Sequence, residues 1–196
     1  MKIGVLALQG AFDEHIKMLE GLGISSAEIR LPDQLADLDG LIIPGGESTA
    51  IAKLAVAYDF IDPLKNFAAS KALWGTCAGM IFMAKEVKGE GVDQPVLGLM
   101  DIVVARNAFG RQVDSFEIDL NVADLPGGEK TPFPAVFIRA PKLISVGSDA
   151  RVLASLPDGT PVAACQNKWL ATAFHPELSR DNRFHRFFAE MARSQG

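Results

Sequence analysis

Cysteine is scarce in this chain: only Cys77 and Cys165 occur among 196 residues. A chain of this length can bury a hydrophobic core without disulfide bonds, so the scarcity favours a reducing, cytoplasmic environment. Histidine is scarce as well, with three residues, and neither the histidines nor the cysteines have the spacing of metal ligands. We therefore expect no metal site and no disulfide scaffold.

Positive charge is neither abundant nor clustered. The formal net charge is −5, and lysine and arginine are scattered along the chain, which argues against nucleic acid as a partner. Long apolar runs are also missing, since no stretch approaches the roughly 18 uncharged residues of a membrane span. The apolar run within residues 1–10 is too short for a signal peptide, because Asp13 and Glu14 follow at once. The sequence thus predicts a soluble protein with no membrane partner.

Hydrophobic residues make up 48% of the chain, enough for one sizeable core, and we predict a single domain over residues 1–196. Apolar runs typical of buried strands alternate with segments of helical spacing: strands at 2–8, 27–30, 40–43 and 72–74, and helices at 11–22 and across 48–69. Such alternation indicates a parallel sheet with helices on both faces. We predict a three-layer, flavodoxin-like α/β fold.

The second half of the sequence is less regular. It has strand-like runs with fewer helices between them, at 98–106, 115–122 and 135–139, then a hairpin formed by 160–166 and 169–174, and a final helix over 181–193. Residues 125–134, rich in proline and glycine, predict an irregular loop. This half therefore predicts an antiparallel extension of the sheet.

The most informative segment is Gly75-Thr76-Cys77-Ala78-Gly79, which lies where an apolar strand gives way to a helix. This pattern is typical of a nucleophile elbow, a sharp turn that exposes the nucleophile and aims the next backbone N–H, here that of Ala78, at a developing oxyanion. Glycines flank the turn because a β-carbon would clash there. A lone cysteine is usually a small buried hydrophobe, which is our interpretation of Cys165.

A base and a carboxylate follow near the other end of the chain, in Phe174-His175-Pro176-Glu177. Pro176 favours an extended His175, and residues two apart in an extended segment share a face. Glu177 could then orient the imidazole, and a triad of Cys77, His175 and Glu177 can be written. The other two histidines, His15 and His185, lie among charged residues in predicted helices, so we expect both to be solvated.

The segment Pro44-Gly45-Gly46-Glu47-Ser48-Thr49 follows a strand and precedes a helix. Alone it is best explained as an ordinary turn with Ser48 or Thr49 as the helix cap. Beside a cysteine elbow, a second oxyanion donor at Gly46 becomes the better interpretation. Arg106, Arg111 and Arg139 lie near strand ends, where arginine could grip a carboxylate or simply pair with surface acids; spacing does not decide between these roles.

Together these motifs resemble the class I glutamine amidotransferases. Two further blocks, Arg106-Asn107-Ala108-Phe109-Gly110-Arg111-Gln112 and Phe137-Ile138-Arg139-Ala140-Pro141, narrow the resemblance to the glutaminase subunits of pyridoxal 5′-phosphate synthase, over nearly the whole chain. The resemblance implies that Cys77 is the nucleophile, His175 the base and Glu177 its orienting carboxylate. It also implies a set of glutamine-binding positions: Gly46, Glu47, Ser48, Arg106, Ile138 and Arg139.

The implied reaction is hydrolysis of L-glutamine to glutamate and ammonia through a glutamyl thioester, without a cofactor. The implied partner is a (β/α)8-barrel synthase subunit, which uses the ammonia to make pyridoxal 5′-phosphate in a large hetero-oligomer. We expect the Gln9-Gly10 and Gly45-Gly46 backbones to adjust on docking.

Two alternatives remain at this point. The chain could be the glutaminase of another amidotransferase pathway, such as histidine or purine synthesis, although the block that begins at Arg106 argues against it. It could also be a noncatalytic flavodoxin-like protein with a cysteine elbow, although such a protein has no need of His175 and Glu177.

Overall fold

The computed structural model describes residues 1–89, 94–106 and 115–193. Within these ranges the chain forms twelve strands and five α-helices. The strands are β1 (Lys2–Leu6), β2 (Ser25–Ile29), β3 (Gly40–Ile43), β4 (Ala72–Thr76), β5 (Ala84–Lys88), β6 (Met100–Ala105), β7 (Ser115–Leu120), β8 (Phe133–Ile138), β9 (Lys142–Val146), β10 (Arg151–Ser155), β11 (Pro161–Gln166) and β12 (Trp169–Thr172). The helices are α1 (Phe12–Gly21), α2 (Ser48–Ala57), α3 (Ile61–Ala68), α4 (Ala78–Met83) and α5 (Arg183–Arg193).

A seven-stranded sheet in the order β10-β11-β12-β4-β3-β1-β2 forms the centre of the molecule. The neighbours from β12 to β2 pair in parallel, as expected for apolar strands separated by helices. At the other edge, β11 pairs antiparallel with β12 and with β10. The predicted α/β fold, with a mostly parallel sheet and an antiparallel extension, is confirmed.

The central strands are buried on both faces because consecutive side chains point to opposite sides of the sheet. Trp74 packs in a core shared with α1 and α5, whereas the preceding Leu73 packs in a second core shared with α2 and α3. Both side chains are fully buried. The sheet and the helices on its two faces therefore form three layers. A site can form only at the ends of the central strands, because both faces of these strands are covered.

The hairpin between β11 and β12 turns at Asn167 and Lys168, as predicted. Asn167 has φ 52°, in the left-handed region that asparagine tolerates better than most residues. The hairpin places β12 next to β4, with Thr172 paired to Thr76. Residues from the far end of the sequence thereby reach the end of β4.

Three strands, β5, β9 and β10, were not expected from the sequence. β5 and β9 flank β6 in a separate three-stranded sheet, and β7 pairs with β8 in a two-stranded ribbon. β5 has the sequence Ala-Lys-Glu-Val-Lys and is mostly exposed, so it lacks the apolar run that marks a buried strand. Residues 133–134, expected in a loop, begin β8.

None of the helices in the described ranges has the length and apolar character needed to cross a membrane.

Candidate active site

Cys77 lies in a strained turn between β4 and α4. Its backbone has φ 48° and ψ −103°, a conformation that costs a residue with a β-carbon energy and that occurs mostly at functional sites. The flanking glycines allow the turn, because a β-carbon on Gly75 would lie 2.5 Å from the Gly79 carbonyl carbon. A β-carbon on Gly79 would lie 2.0 Å from the Ile43 carbonyl oxygen. The predicted steric need for both glycines is confirmed.

The loop after β3 brings Gly45 against the cysteine. A β-carbon on Gly45 would lie 2.4 Å from Cε1 of His175 and 3.2 Å from Cβ of Cys77. Three adjacent strands, β3, β4 and β12, therefore deliver the loop, the thiol and the imidazole to the same edge of the sheet. This edge is formed by the carboxyl ends of parallel strands, where open α/β sheets usually bind ligands.

The His175 imidazole is tied to the Glu177 carboxylate. Nδ1 of His175 lies 2.7 Å from Oε1 of Glu177, and both side chains are buried. Pro176 begins a 3₁₀ turn, Pro176–Leu178, so the turn rather than an extended segment brings Glu177 to the ring. Because Nδ1 is bonded to Glu177, Nε2 is the ring nitrogen left to interact with Cys77.

Burial and charge act in opposite directions on this pair. Burial disfavours the charged imidazole, but interactions with Cys77 and Glu177 outweigh it and raise the pKa of His175 to about 10. Burial would likewise raise the pKa of Glu177, but its interactions with His15 and His175 lower it. At neutral pH the site thus holds a carboxylate beside a protonated imidazole.

A cavity of about 490 Å³ opens over the thiol. Of the residues predicted for the site, it is lined by Gly46, Glu47, Ser48, Cys77, Ala78, Arg106, Ile138, Arg139 and His175. Glu177 lies behind His175, 5% exposed. Arg111 and the rest of the motif at 107–114 lie outside the described residues.

The loop at Gly45 and Gly46 is held by the segment after β1. The Ala11 N–H donates to the Gly45 carbonyl oxygen at 3.0 Å, and the Glu47 N–H donates to Oε1 of Gln9 at 2.8 Å. A β-carbon on Gly46 would lie 2.3 Å from that same Gln9 oxygen. Gln9 was not predicted as a site residue; its position directly after an apolar strand was the available signal.

Glu47, rather than Ser48 or Thr49, caps helix α2. Its carboxylate accepts hydrogen bonds from the N–H groups of Thr49 (3.0 Å) and Ala50 (2.7 Å). Burial opposes ionisation of Glu47, but these N–H groups prevail and lower its pKa. Oε1 of Glu47, which accepts the Thr49 N–H, also lies 3.6 Å from Nη2 of Arg106, so two opposite charges are adjacent in the cavity wall.

Gln94 joins three donors of the site, a role that sequence reasoning missed. Its Oε1 accepts from Arg106 Nη1 (3.0 Å), Ser48 Oγ (3.2 Å) and Thr49 Oγ1 (3.4 Å). Its Nε2 is buried without a hydrogen-bond partner among the described residues. One amide thus fixes two side chains predicted to bind substrate, Ser48 and Arg106.

Ile138 and Arg139 project from the end of β8 into the cavity wall and are exposed. Arg139 has φ 42°, a second non-glycine residue of the site in the left-handed region. The guanidinium groups of Arg106 and Arg139 and the Glu47 carboxylate give the cavity charges of both signs. A zwitterionic amino acid has charges complementary to these: a carboxylate for the guanidinium groups and an ammonium group for the Glu47 carboxylate.

Comparison with known proteins identifies the family of the chain. Residues 5–194 match the SNO glutamine amidotransferase family. The chain belongs to this family. A relative from Dehalococcoides mccartyi, named pyridoxal 5′-phosphate synthase subunit PdxT, is 59% identical over 194 residues, which cover 98% of each chain. A protein of the same name from Deinococcus radiodurans is 55% identical over 196 residues, covering 98% of this chain and 97% of its own.

Two solved structures share the fold of this chain. One described as a glutamine amidotransferase superposes with a TM-score of 0.90 at 49% identity, over 97% of this chain and 98% of its own. The structure of PurLQS from Thermotoga maritima gives a TM-score of 0.68 at 17% identity, over 96% of this chain and 97% of its own, and shows the fold alone. The resemblance stated from the sequence is confirmed.

In this member of the amidotransferase family, His15 and His185 are completely buried, so the prediction that both are solvated was wrong. His15 lies one helical turn before the buried Leu19, and His185 one turn before the buried Ala189, so both face the sheet. Nδ1 of His15 lies 2.9 Å from Nε2 of His185. Helical periodicity, applied to polar as well as apolar residues, would have placed them inward.

Cys165 of this amidotransferase family member is buried in the larger core, as its packing role predicts. Burial raises the pKa of its thiol, which keeps it in the unreactive form. Both cysteines are unpaired. Within the described ranges, no group of three or more His, Cys, Asp or Glu side chains is arranged to hold a metal ion.

Proposed function

We propose that this protein hydrolyses L-glutamine to L-glutamate and ammonia and supplies the ammonia for pyridoxal 5′-phosphate (vitamin B6) synthesis. Family membership and the full-length relatives named pyridoxal 5′-phosphate synthase subunit PdxT support this function. The observation that carries it is the meeting of three distant segments at one sheet edge: the Gly45 loop, Cys77 in a strained elbow, and His175 bonded to Glu177 at 2.7 Å. The whole chain, residues 1–196, acts as one glutaminase domain.

In the first half of the reaction, the Cys77 thiolate attacks the side-chain carbonyl carbon of glutamine. A carbon–sulfur bond forms, and the carbonyl electrons move to oxygen. Backbone N–H groups of Ala78 and Gly46 stabilise this oxyanion. The His175 imidazolium, oriented by Glu177, gives its proton to the leaving nitrogen as the carbon–nitrogen bond breaks. The products are ammonia and a glutamyl thioester on Cys77.

In the second half, water attacks the thioester carbonyl. Neutral His175 takes the proton of that water, and collapse of the second oxyanion expels the Cys77 thiolate. Glutamate leaves, and the proton remains on His175, so the starting state returns. No cofactor takes part in either half.

Six lining residues bind the substrate in this proposal. The guanidinium of Arg106 suits the α-carboxylate, because arginine grips a carboxylate with two parallel hydrogen bonds. The Glu47 carboxylate suits the α-ammonium group. Ser48, Ile138, Arg139 and the Gly46 backbone complete the pocket around the side chain and the two charged ends.

The proposed partner is a (β/α)8-barrel synthase subunit in a large hetero-oligomer. Ammonia released into water near neutral pH becomes ammonium and is no longer a nucleophile, so a glutaminase of this kind needs a receiving enzyme docked to it. The Gln9-Gly10 and Gly45-Gly46 backbones adjust on docking. Hydrogen bonds from the Ala11 N–H to the Gly45 carbonyl oxygen and from the Glu47 N–H to the Gln9 side chain connect the two segments, so we expect them to move together. Two unpaired cysteines suit the cytoplasm as the location.

The decisive experiment measures glutamate release by the purified protein with and without a pyridoxal phosphate synthase subunit. We expect strong stimulation by that subunit, loss of activity to background in Cys77→Ala, and near-normal activity in the matched control Cys165→Ala. Glutamate release at the same rate with and without the subunit would point to another amidotransferase pathway. If the folded, reduced protein released no glutamate with or without the subunit, a noncatalytic role would be favoured.

A further inference from the structure

The Glu177 carboxylate has histidine neighbours on both sides. Oε1 receives the His175 hydrogen bond at 2.7 Å, while Oε2 faces Nε2 of His15 at 3.3 Å. Among the described residues, Oε2 accepts no hydrogen bond. Since Glu177 and His15 are both buried, the nearby imidazole is the group that offsets the charge on this oxygen.

The position of the carboxylate dictates the tautomer of His15. A bare Nε2 lone pair would be repelled by Oε2, whereas an Nε2–H is attracted to it and also donates to Oγ1 of Thr76 at 3.3 Å. Nδ1 of His15 must then be the acceptor, so Nε2 of His185 donates to it at 2.9 Å. Nδ1 of His185 is left as a bare buried nitrogen with no hydrogen-bond partner among the described residues.

Two observations indicate that His15 is neutral. It is fully buried, and burial lowers its pKa despite the opposing charges of Glu177 and Glu14; His175 lowers it further. Burial lowers the pKa of His185 as well, and a proton on His15 would lower it further. Trp74 walls off the pair, with its ring centroid 4.9 Å from that of His185 and 5.6 Å from that of His15.

We propose that His15, fixed by His185, is a positioning residue for the triad: its neutral Nε2–H faces Glu177 Oε2 and keeps the carboxylate ionised and aimed at His175. The inference rests on the proposed glutaminase function. It extends the site by a chain of contacts, from His185 on α5 to His15 on α1 and on to Glu177 in the 3₁₀ turn. Residues that orient a functional side chain in this way commonly affect activity about 10- to 100-fold.

A matched pair of variants tests the donor. In His15→Gln the amide nitrogen stands as many bonds from the backbone as imidazole Nε2, so it retains a donor toward Glu177. In His15→Asn the amide stands where Nδ1 was, so it keeps the His185 contact and loses that donor. We expect kcat to fall about 10-fold or more in His15→Asn, with KM for glutamine unchanged, and to recover to within about 3-fold of wild type in His15→Gln.

A second readout does not depend on turnover. Nitrogen-15 NMR of imidazole-labelled wild-type protein should show His15 protonated at Nε2 and bare at Nδ1. In His15→Asn, the His175 titration should move to lower pH, because a less well-held Glu177 stabilises the imidazolium less; His15→Gln should restore it. A wild-type His15 that is bare at Nε2 would overturn the proposal even if every variant failed to fold.

Two kinetic outcomes would also overturn it: full activity in His15→Asn, or equal losses in the Gln and Asn variants that track their loss of thermal stability. Failure of the glutaminase function itself looks different. In that case wild type would release no more glutamate than Cys77→Ala, while the NMR tautomer and titration would still decide the role of His15.

Discussion

The environment of Cys77 explains why glycine recurs around it. Gly75 and Gly79 allow the strained turn, and Gly45 lets His175 approach the thiol. A methyl group at any of these positions would occupy space that the backbone or the imidazole now fills. The three positions around the thiol therefore require glycine as strictly as the reaction requires Cys77 and His175.

Gly45→Ala should separate the imidazole from the thiol. Its new methyl carbon would lie 2.4 Å from Cε1 of His175, so the ring must move by about 1 Å to regain an ordinary contact. We expect kcat for glutamine hydrolysis to fall about 100-fold, since displacements of about 1 Å cost that much in preorganised sites. Steady-state kinetics with the synthase subunit present measures this.

Gly21→Ala provides the control for that variant. Gly21 is exposed at the end of α1, and a β-carbon there meets no atom within 4 Å. Its activity should equal that of wild type. Near-normal kcat in Gly45→Ala would mean that the Gly45 loop yields to the methyl group and does not hold His175 in place.

Gln94 should influence substrate affinity through Arg106 and Ser48. Removing its amide in Gln94→Ala takes away the acceptor that both donors share, so we expect KM for glutamine to rise about 5- to 10-fold, the cost of one to two hydrogen bonds. Gln94→Glu should raise KM further, because its charge competes with the substrate carboxylate for Arg106. In both variants kcat should stay within about 2-fold; unchanged KM values would refute this role.

At the level of secondary structure, the crossing of α4 over β3 depends on Gly79. Alanine is normally better than glycine within a helix by about 1 kcal/mol. Here a β-carbon would lie 2.0 Å from the Ile43 carbonyl oxygen, and a backbone atom cannot rotate away. We expect Gly79→Ala to lower the free energy of unfolding by about 2 kcal/mol or more, measured by urea denaturation.

The Gly21→Ala variant serves here too, because it adds a methyl group to a helix without steric contact. Its free energy of unfolding should match or slightly exceed that of wild type. Equal stabilities of Gly79→Ala and Gly21→Ala would show that α4 can shift away from β3.

The elements differ in how well sequence predicts them. β3 and β4 lie within continuous apolar runs because both faces are buried, and the helices between strands show clear periodicity. β9 and β10 alternate irregularly and are largely exposed, so tertiary pairing rather than composition defines them. The motif residues of the site could be predicted, but Gln94 and His15 could not, since their roles come from contacts across 46 and 162 residues of sequence respectively.

For the whole molecule, strand order explains how the site is assembled. β3, β4 and β12 are neighbours in the sheet although nearly a hundred residues separate the last two in sequence. The loop after each strand adds one part: Gly45, Cys77 and His175. Helices α1 and α5, packed on one face, bring His15 and His185 together beneath the same edge.

This buried histidine pair should make global stability depend on pH. The folded pKa values of His15 and His185 are both below the ordinary 6.5, so between the folded and unfolded values the unfolded chain binds more protons. The contribution of these two histidines to the free energy of unfolding is therefore fully present above pH 6.5 and is lost as the pH falls toward their folded pKa values. Each histidine can contribute a slope of up to about 1.4 kcal/mol per pH unit. Urea unfolding between about pH 5 and 6.5 should show stability rising with pH.

The chosen range isolates these two groups. His175, with a folded pKa of about 10, is protonated in the folded state and, below pH 6.5, mostly so in the unfolded state, and carboxylates with lowered pKa values act mainly below 4.5. His185→Phe removes one titrating group and fills its space with an aromatic ring, so it should reduce the slope. An identical slope in wild type and His185→Phe would mean that His185 accepts a proton without unfolding, and the buried pair would then have to open toward solvent within the folded protein.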